Sequence, residues 1–277
     1  MSNPVEPVFT PEQIVQDLTR IGLAKGDIVY VHSSLRKVGK IDGGADTLID
    51  CFLSIIGAEG TLAVPTHTLN YVNISETPFH PETTPSHLGT FTNVLLKRPG
   101  AYRSMHPTHS SAAIGAKAAW LTENHDLERP FHYNSPINRL YRKNGKILLL
   151  GVQHNANTAL HLAEYLTDMP YTVLHYKSTW SPDAWYIGED GETKIVETKM
   201  FPGCSHSFVL IEGILKRKKL ITYGRVGDAL CQLMNAKALV DEATAIIQED
   251  PTFFLCQNHR CPCCPPRWAL LREKGII

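Results

Sequence analysis

Apolar residues recur at near-helical spacing in "TPEQIVQDLTRIGL", where Ile14, Leu18 and Ile21 follow a Thr10–Pro11–Glu12 start typical of a capped amphipathic helix. After Gly26 the pattern changes to the short β-branched run "DIVYVHSSL", which predicts a buried strand. A glycine pair then opens "GGADTLIDCFLSIIG", a helix stopping at Gly57, and "GTLAVPTHT" predicts a second strand. Residues 70 to 90 are rich in Pro, Thr, Ser and His without apolar periodicity, which predicts a long surface loop, often a functional lid. Next come a helix in "LGTFTNVLLKRPG", a short strand in "HSSAAIG", the clear buried strand "KILLLGV" and a helix in "TALHLAEYL".

Beyond Tyr171 the runs "YTVLHYKSTW" and "ETKIVETKMF" alternate apolar and polar residues as antiparallel strands do. Two late helices are expected in "SHSFVLIEGILKRKK" and "VGDALCQLMNAKALVDEATAIIQED". The alternation of strand, helix and strand therefore predicts an α/β fold, with a mixed sheet, crossover helices and an antiparallel C-terminal part. Residues 1–277 read as a single domain with a Cys-rich segment at 256–264.

Composition narrows the classes. The 277 residues are 43% hydrophobic and 19% charged, which is ordinary for a globular protein and excludes a disordered or fibrous chain. Lys plus Arg equals Asp plus Glu at 27 each, so no broad basic field for nucleic acid is expected. No run reaches the roughly 18 apolar residues of a membrane span, and the polar start lacks the layout of a signal peptide, so a cytoplasmic location is expected.

Four stretches carry candidate chemistry. In "VYVHSSLRKVGKIDGG", hydroxyls and backbone N–H groups follow a strand and could cradle a phosphate, with Arg36 and Lys37 adding charge; an ordinary strand-to-helix connection uses the same residues. In "RSMHPTHSSAAIG", His106 and His109 beside two serines could ligate metal or polarise a carbonyl, or could simply form a turn. In "TALHLAEYL", His161 and Glu164 stand three apart on one helix face, close enough for the carboxylate to orient the imidazole. At the C-terminus, Cys256, His259, Cys261 and Cys264 have separations workable for a structural zinc ion, with packed thiols as the plain alternative. Seven cysteines, an odd count, disfavour a disulfide framework.

In their order and separations, "VHSSL", "GTLAVPTHT", "HPTHSSAAIG" and "LLLGVQHNANTALHLAEY" resemble the aminoglycoside 3-N-acetyltransferase family, also called the antibiotic N-acetyltransferase family. The resemblance implies a fold distinct from the GNAT acetyltransferases and acetyl transfer from acetyl-CoA to an amine, an aminoglycoside 3-amino group among them. It makes His32, Ser33, Ser34, Leu35, Arg36, Lys37, Val38 and Gly39 candidates for holding the pyrophosphate and pantetheine of acetyl-CoA. Ser110 matches the position near the thioester, where it or backbone N–H groups of the 108 to 111 loop could donate to the oxyanion, while His161 and Glu164 match the histidine and glutamate assigned to amine activation.

On the acceptor side the candidates are Asn155, His154 and Glu76, and Asn155 stands where several aminoglycoside-modifying members have Asp. The acidic supply for a polycation is modest: Glu76, Glu82 and Asp168. The expected partners are acetyl-CoA and a small amine, with no nucleic acid and no membrane, and a homodimer is one assembly left open. Two competing readings are a zinc-dependent hydrolase built from His106, His109, His154 and His161, and a coenzyme A-binding protein without turnover.

Overall fold

The computed structural model describes residues 7–69, 77–174, 183–199 and 203–277. In chain order its strands are β1 (Val8–Phe9), β2 (Ile28–Ser33), β3 (Lys40–Ile41), β4 (Thr61–Pro65), β5 (Tyr102–Arg103), β6 (Ser111–Gly115), β7 (Lys146–Leu150), β8 (Asp183–Ile187), β9 (Thr193–Glu197), β10 (Ile221–Val226) and β11 (Ala229–Asn235). Seven form one sheet in the order β10-β11-β7-β2-β4-β6-β5. The central β7, β2 and β4 are parallel, and both flanks are antiparallel. The mixed α/β sheet expected from the sequence is therefore present.

The near-continuous apolar runs in β2 and β7 follow from burial on both faces. Tyr30, Ile147 and Leu149 face one core with helices Pro136–Arg142, Ala159–Leu166 and Ala236–Glu249. Val29, Val31, Leu148 and Leu150 face a second core with helices Pro11–Arg20, Gly44–Ile56 and Thr90–Leu96. Ile147, Leu148, Leu149 and Leu150 are all fully buried, and each such side chain contributes about 1.5–3 kcal/mol. This central strand fixes where the chain emerges at Gly151, just before the His161 helix. The helix at Pro11 starts as its sequence predicts: Thr10 and Gln13 form a reciprocal capping box.

Two expectations need correction. "VGDALCQLMNAKALVDEATAIIQED" is not one helix, because Ala229–Asn235 is a strand and the helix begins only at Ala236. The strand pairs with β10 through the two-residue turn Gly227–Asp228 and with β7 on its other edge, and this tertiary pairing overrides the helical reading. Asn235 then accepts hydrogen bonds from the Lys237 and Ala238 N–H groups, which sets the helix start. At the head of "YTVLHYKSTW", Pro170–Val173 form a 3-10 turn rather than a strand; residues 175–180 of that run lie outside the described ones.

The run "ETKIVETKMF" does supply β9, which pairs antiparallel with β8. "SHSFVLIEGILKRKK" divides into a 3-10 turn, His206–Leu210, and a helix, Ile211–Arg217. Residues 77–89 contain no helix or strand, and Phe79 docks on the small hairpin through backbone bonds to Trp185 and Ile187. The other part of the predicted loop, 70–76, lies outside the described residues. No described helix is long and apolar enough to cross a membrane.

Candidate active site

A cavity of about 290 Å³ opens beyond the C-terminal ends of the three parallel strands. Its wall takes Val31, His32 and Ser33 from the end of β2, Pro65 from the end of β4 and His67 just beyond it, and Val152 and Asn155–Thr158 after β7. β2 is the point from which the chain runs to β4 on one side and, later, to β7 on the other, the place where open α/β sheets leave a crevice.

His161 completes this wall. The preceding 3-10 turn, His154–Ala156, leads into Asn157, whose side-chain oxygen accepts from the Ala159 N–H at 3.2 Å and starts the helix. One turn in, His161 Nδ1–H donates to Glu164 Oε2 at 2.7 Å, realising the three-residue spacing. The imidazole is stacked against Phe131 at 5.6 Å between ring centroids and is edge-on to Phe208 at 4.7 Å. With Nδ1 committed to the carboxylate, Nε2 is the nitrogen left for proton transfer.

Glu164 is itself held from the far end of the chain. Arg267, from helix Cys264–Glu273, donates through Nη1 to Glu164 Oε1 at 3.3 Å, and its guanidinium lies over the Tyr171 ring at 4.8 Å. Both carboxylate oxygens therefore have partners, so the group cannot swing away from His161. Sequence reading missed Arg267, because nothing local marks a residue whose partner is 103 positions away. Gly203 has a related role: a Cβ there would overlap the Arg267 guanidinium, so a side chain at 203 would push Arg267 from its present place.

The other expected residues divide sharply. His32 and Ser33 line the cavity, and the buried His32 Nε2 has no hydrogen-bond partner among the described residues. Ser34 precedes the one-turn helix Leu35–Val38, with Leu35 half-buried, Arg36 and Lys37 exposed and Val38 fully buried. Gly39 ends that turn at φ 89°, a left-handed conformation that favours glycine. Asn155 lines the cavity and His154 does not; His154 is fully buried and meets Asn157 at 3.4 Å. Glu76 lies outside the described residues, and Glu82 and Asp168 are exposed away from the cavity wall.

Ser110 is not in the wall. Its hydroxyl donates to the Thr66 carbonyl at 2.9 Å and accepts from Arg103 Nε at 3.0 Å. His109 is in the wall instead, with Nδ1 2.8 Å from the Thr108 hydroxyl.

Burial keeps this histidine-rich region uncharged. His32 is lowered to about 3 by burial and then by His154, while burial above all lowers His125 and His154 each to about 4. His67, His106 and His109 lie well below the ordinary value, again mainly through burial.

Among the described residues the histidines of the competing hydrolase reading form no cluster of potential metal ligands; the only such cluster is Cys204, Cys256, Cys261 and Cys264. His259 is exposed and outside that group, and its expected place is taken by Cys204.

A family profile described as aminoglycoside 3-N-acetyltransferase matches residues 30–248. The chain is 32% identical to aminoglycoside N(3)-acetyltransferase IV from Salmonella sp., covering 88% of this chain and 89% of that one. It is 30% identical to aminoglycoside N(3)-acetyltransferase VII from Streptomyces paromomycinus, over 87% and 92% of the two chains. Among solved structures, aminoglycoside acetyltransferase AAC(3)-IVa in complex with a gentamicin superimposes with a TM-score of 0.84 at 28% identity, over 96% of this chain and 99% of that chain. AAC-IIIb bound to CoASH gives 0.78 at 26% identity, over 88% and 97%.

Proposed function

This chain belongs to the aminoglycoside 3-N-acetyltransferase family, a family of acyltransferases, and on that premise we propose that it moves acetyl from acetyl-CoA to a small amine, with His161 as general base. The carrying observation is the His161–Glu164 contact of 2.7 Å in the wall of a cavity at the ends of the parallel strands. The unpartnered His32 Nε2 and the exposed Arg36 and Lys37 fit a cosubstrate bearing phosphates and amides, and a relative binds CoASH.

An aliphatic ammonium has no lone pair to attack with. His161 Nε2 takes its proton, and Glu164 steadies the resulting imidazolium, work typically contributing ~10²–10⁴-fold in rate. The freed amine attacks the thioester carbonyl, a C–N bond forms, and the C–S bond breaks. The thiolate leaves, and the second amine proton is shed as the amide forms. Amide and free coenzyme A thiol are the products, with one net proton released. No acyl-enzyme is needed, because holding both substrates together supplies the proximity. His109, neutral through burial and present in the wall, is better placed than Ser110 to donate to the oxyanion.

The relatives' names make an aminoglycoside amine the first acceptor to test. One observation favours a less charged amine: no Asp or Glu is among the described cavity-wall residues, and Asn155 is neutral. Thiol release with acetyl-CoA, measured against aminoglycosides and monoamines with the product mass determined, tests the reading. An acceptor gaining one acetyl supports it; acetyl-CoA bound without turnover on any amine supports the binding-protein alternative.

A further inference from the structure

We infer that Cys204, Cys256, Cys261 and Cys264 form a tetrahedral zinc site that locks the C-terminal segment against the catalytic pair. The four thiol sulfurs lie within 4.8 Å of one another, with Cys204 and Cys256 3.9 Å apart. Zinc–sulfur bonds of about 2.3 Å at tetrahedral angles place sulfurs about 3.8 Å apart. No disulfide joins any two of Cys204, Cys256, Cys261 and Cys264.

The surroundings also suit thiolates. The His206 N–H donates to Cys204 Sγ at 3.4 Å, the Cys263 N–H to Cys261 Sγ at 3.4 Å, and the Cys256 N–H to Cys264 Sγ at 3.3 Å. Two of these run from residue i+2 back to the sulfur, a turn that exposes the sulfur while shielding its charge. Cys264 also occupies the first position of a ten-residue helix, the end at which the helix dipole favours negative charge. Four soft ligands in a closed set leave no open coordination position, which marks a structural rather than a hydrolytic metal.

The site's location gives it a consequence. Its buried core is small, Tyr171, Leu255, Cys264 and Leu271, and its further neighbours are only partly buried. Cys204 comes from a chain segment about fifty residues before the other three, and a shared ion would tie the two segments together. Gly203, next to Cys204, makes room for the Arg267 guanidinium and lines the cavity with Ser205. Arg267 stands on the helix that Cys264 begins, and it reaches Glu164. The ion thus positions Arg267 without touching substrate. The zinc site stands on the four thiols alone, whereas its link to turnover rests on His161 and Glu164 acting as proposed above.

The test is metal content of the full-length protein, with cobalt substitution as a spectroscopic signature. One zinc ion per chain is expected, retained in His259→Ala and lost in Cys204→Ser and Cys261→Ser. Cobalt should give the intense visible and thiolate charge-transfer bands of a tetrahedral all-sulfur site, and a chelator should lower the melting temperature of the wild type. Zinc-free protein whose melting ignores chelator, zinc lost with His259→Ala but kept in Cys204→Ser, or iron in place of zinc would each overturn the assignment. The cobalt spectrum and the wild-type chelator result remain informative if a cysteine variant fails to fold. Since none of these readouts involves acetyl transfer, failure of the base assignment would leave them unchanged.

Discussion

Arg267 Nη1 lies 3.3 Å from Glu164 Oε1, and the two side chains are 1% and 4% exposed, so a buried ion pair joins the last helix to the helix that carries His161. Removing one partner leaves the other charge buried, which costs about 3–5 kcal/mol. Arg267→Met should therefore lower thermal stability markedly and reduce kcat more than it raises KM for acetyl-CoA. The double variant Arg267→Met, Glu164→Gln should regain much of the stability and none of the activity. Calorimetry and steady-state kinetics check both parts.

Glu164→Gln tests the orienting role separately. The amide can still meet His161 Nδ1 at the 2.7 Å position, but without the charge that steadies an imidazolium. kcat should fall by about 10- to 100-fold, a share of the ~10²–10⁴-fold typical of general-base catalysis, measured at a temperature where the variant, destabilised by the unpaired Arg267, is still folded. Unchanged kcat would remove Glu164 from the mechanism.

Ser110→Ala separates structure from catalysis. Because its hydroxyl joins Thr66 and Arg103 and does not line the cavity, the loss is expected in stability, about 1–3 kcal/mol for leaving buried groups unsatisfied. kcat should change by only a few-fold. A drop of several hundred-fold without unfolding would return Ser110 to the thioester.

Asn155→Asp would add a carboxylate to a wall that has none among its described residues. A partly exposed pair is worth about 0.2–1 kcal/mol, so KM for a polycationic aminoglycoside should fall by up to about five-fold, while a monoamine is affected less. Raising the salt concentration should erase the difference.

The buried histidines predict acid sensitivity. His32, His125 and His154 are held neutral with folded values of about 3, about 4 and about 4 against an ordinary 6.5, burial being the main cause in each. The unfolded chain binds protons here that the fold rejects, so stability rises with pH across this window. Their contribution is fully present above about 6.5 and is lost as pH falls towards 4. Denaturant unfolding at pH 7 and pH 5 should show a clear drop, with net proton uptake on unfolding at pH 5. Equal stability at the two values would mean that the histidines are hydrated in the fold.

What the sequence revealed was local. The capping box at Thr10, the buried runs of β2 and β7 and the His161–Glu164 pair all depend on residues a few positions apart, and all appear where expected. The 221–235 hairpin was also legible in principle, since Gly227–Asp228 is a two-residue turn between pairing runs and Asn235 is a good helix cap. The apolar residues of "ALCQLMNAKALV" fit a helix as readily, and pairing with β7 decides the matter. Arg267 and Cys204 were not legible, because the contacts that give them meaning span 103 residues in one case and 52 in the other. Ser110 shows the same limit: its motif fixes its position in the chain, whereas Arg103 and Thr66 decide how its hydroxyl is bonded.

The central claim is that His161 removes the acceptor's proton. Its most direct test is coenzyme A thiol release by His161→Ala against wild type, with the preferred amine, saturating acetyl-CoA and a matched circular dichroism spectrum. The account predicts a fall in kcat of about 10²–10⁴-fold, partly recovered at high pH where the amine deprotonates unaided. Turnover within a few-fold of wild type at neutral pH would contradict it.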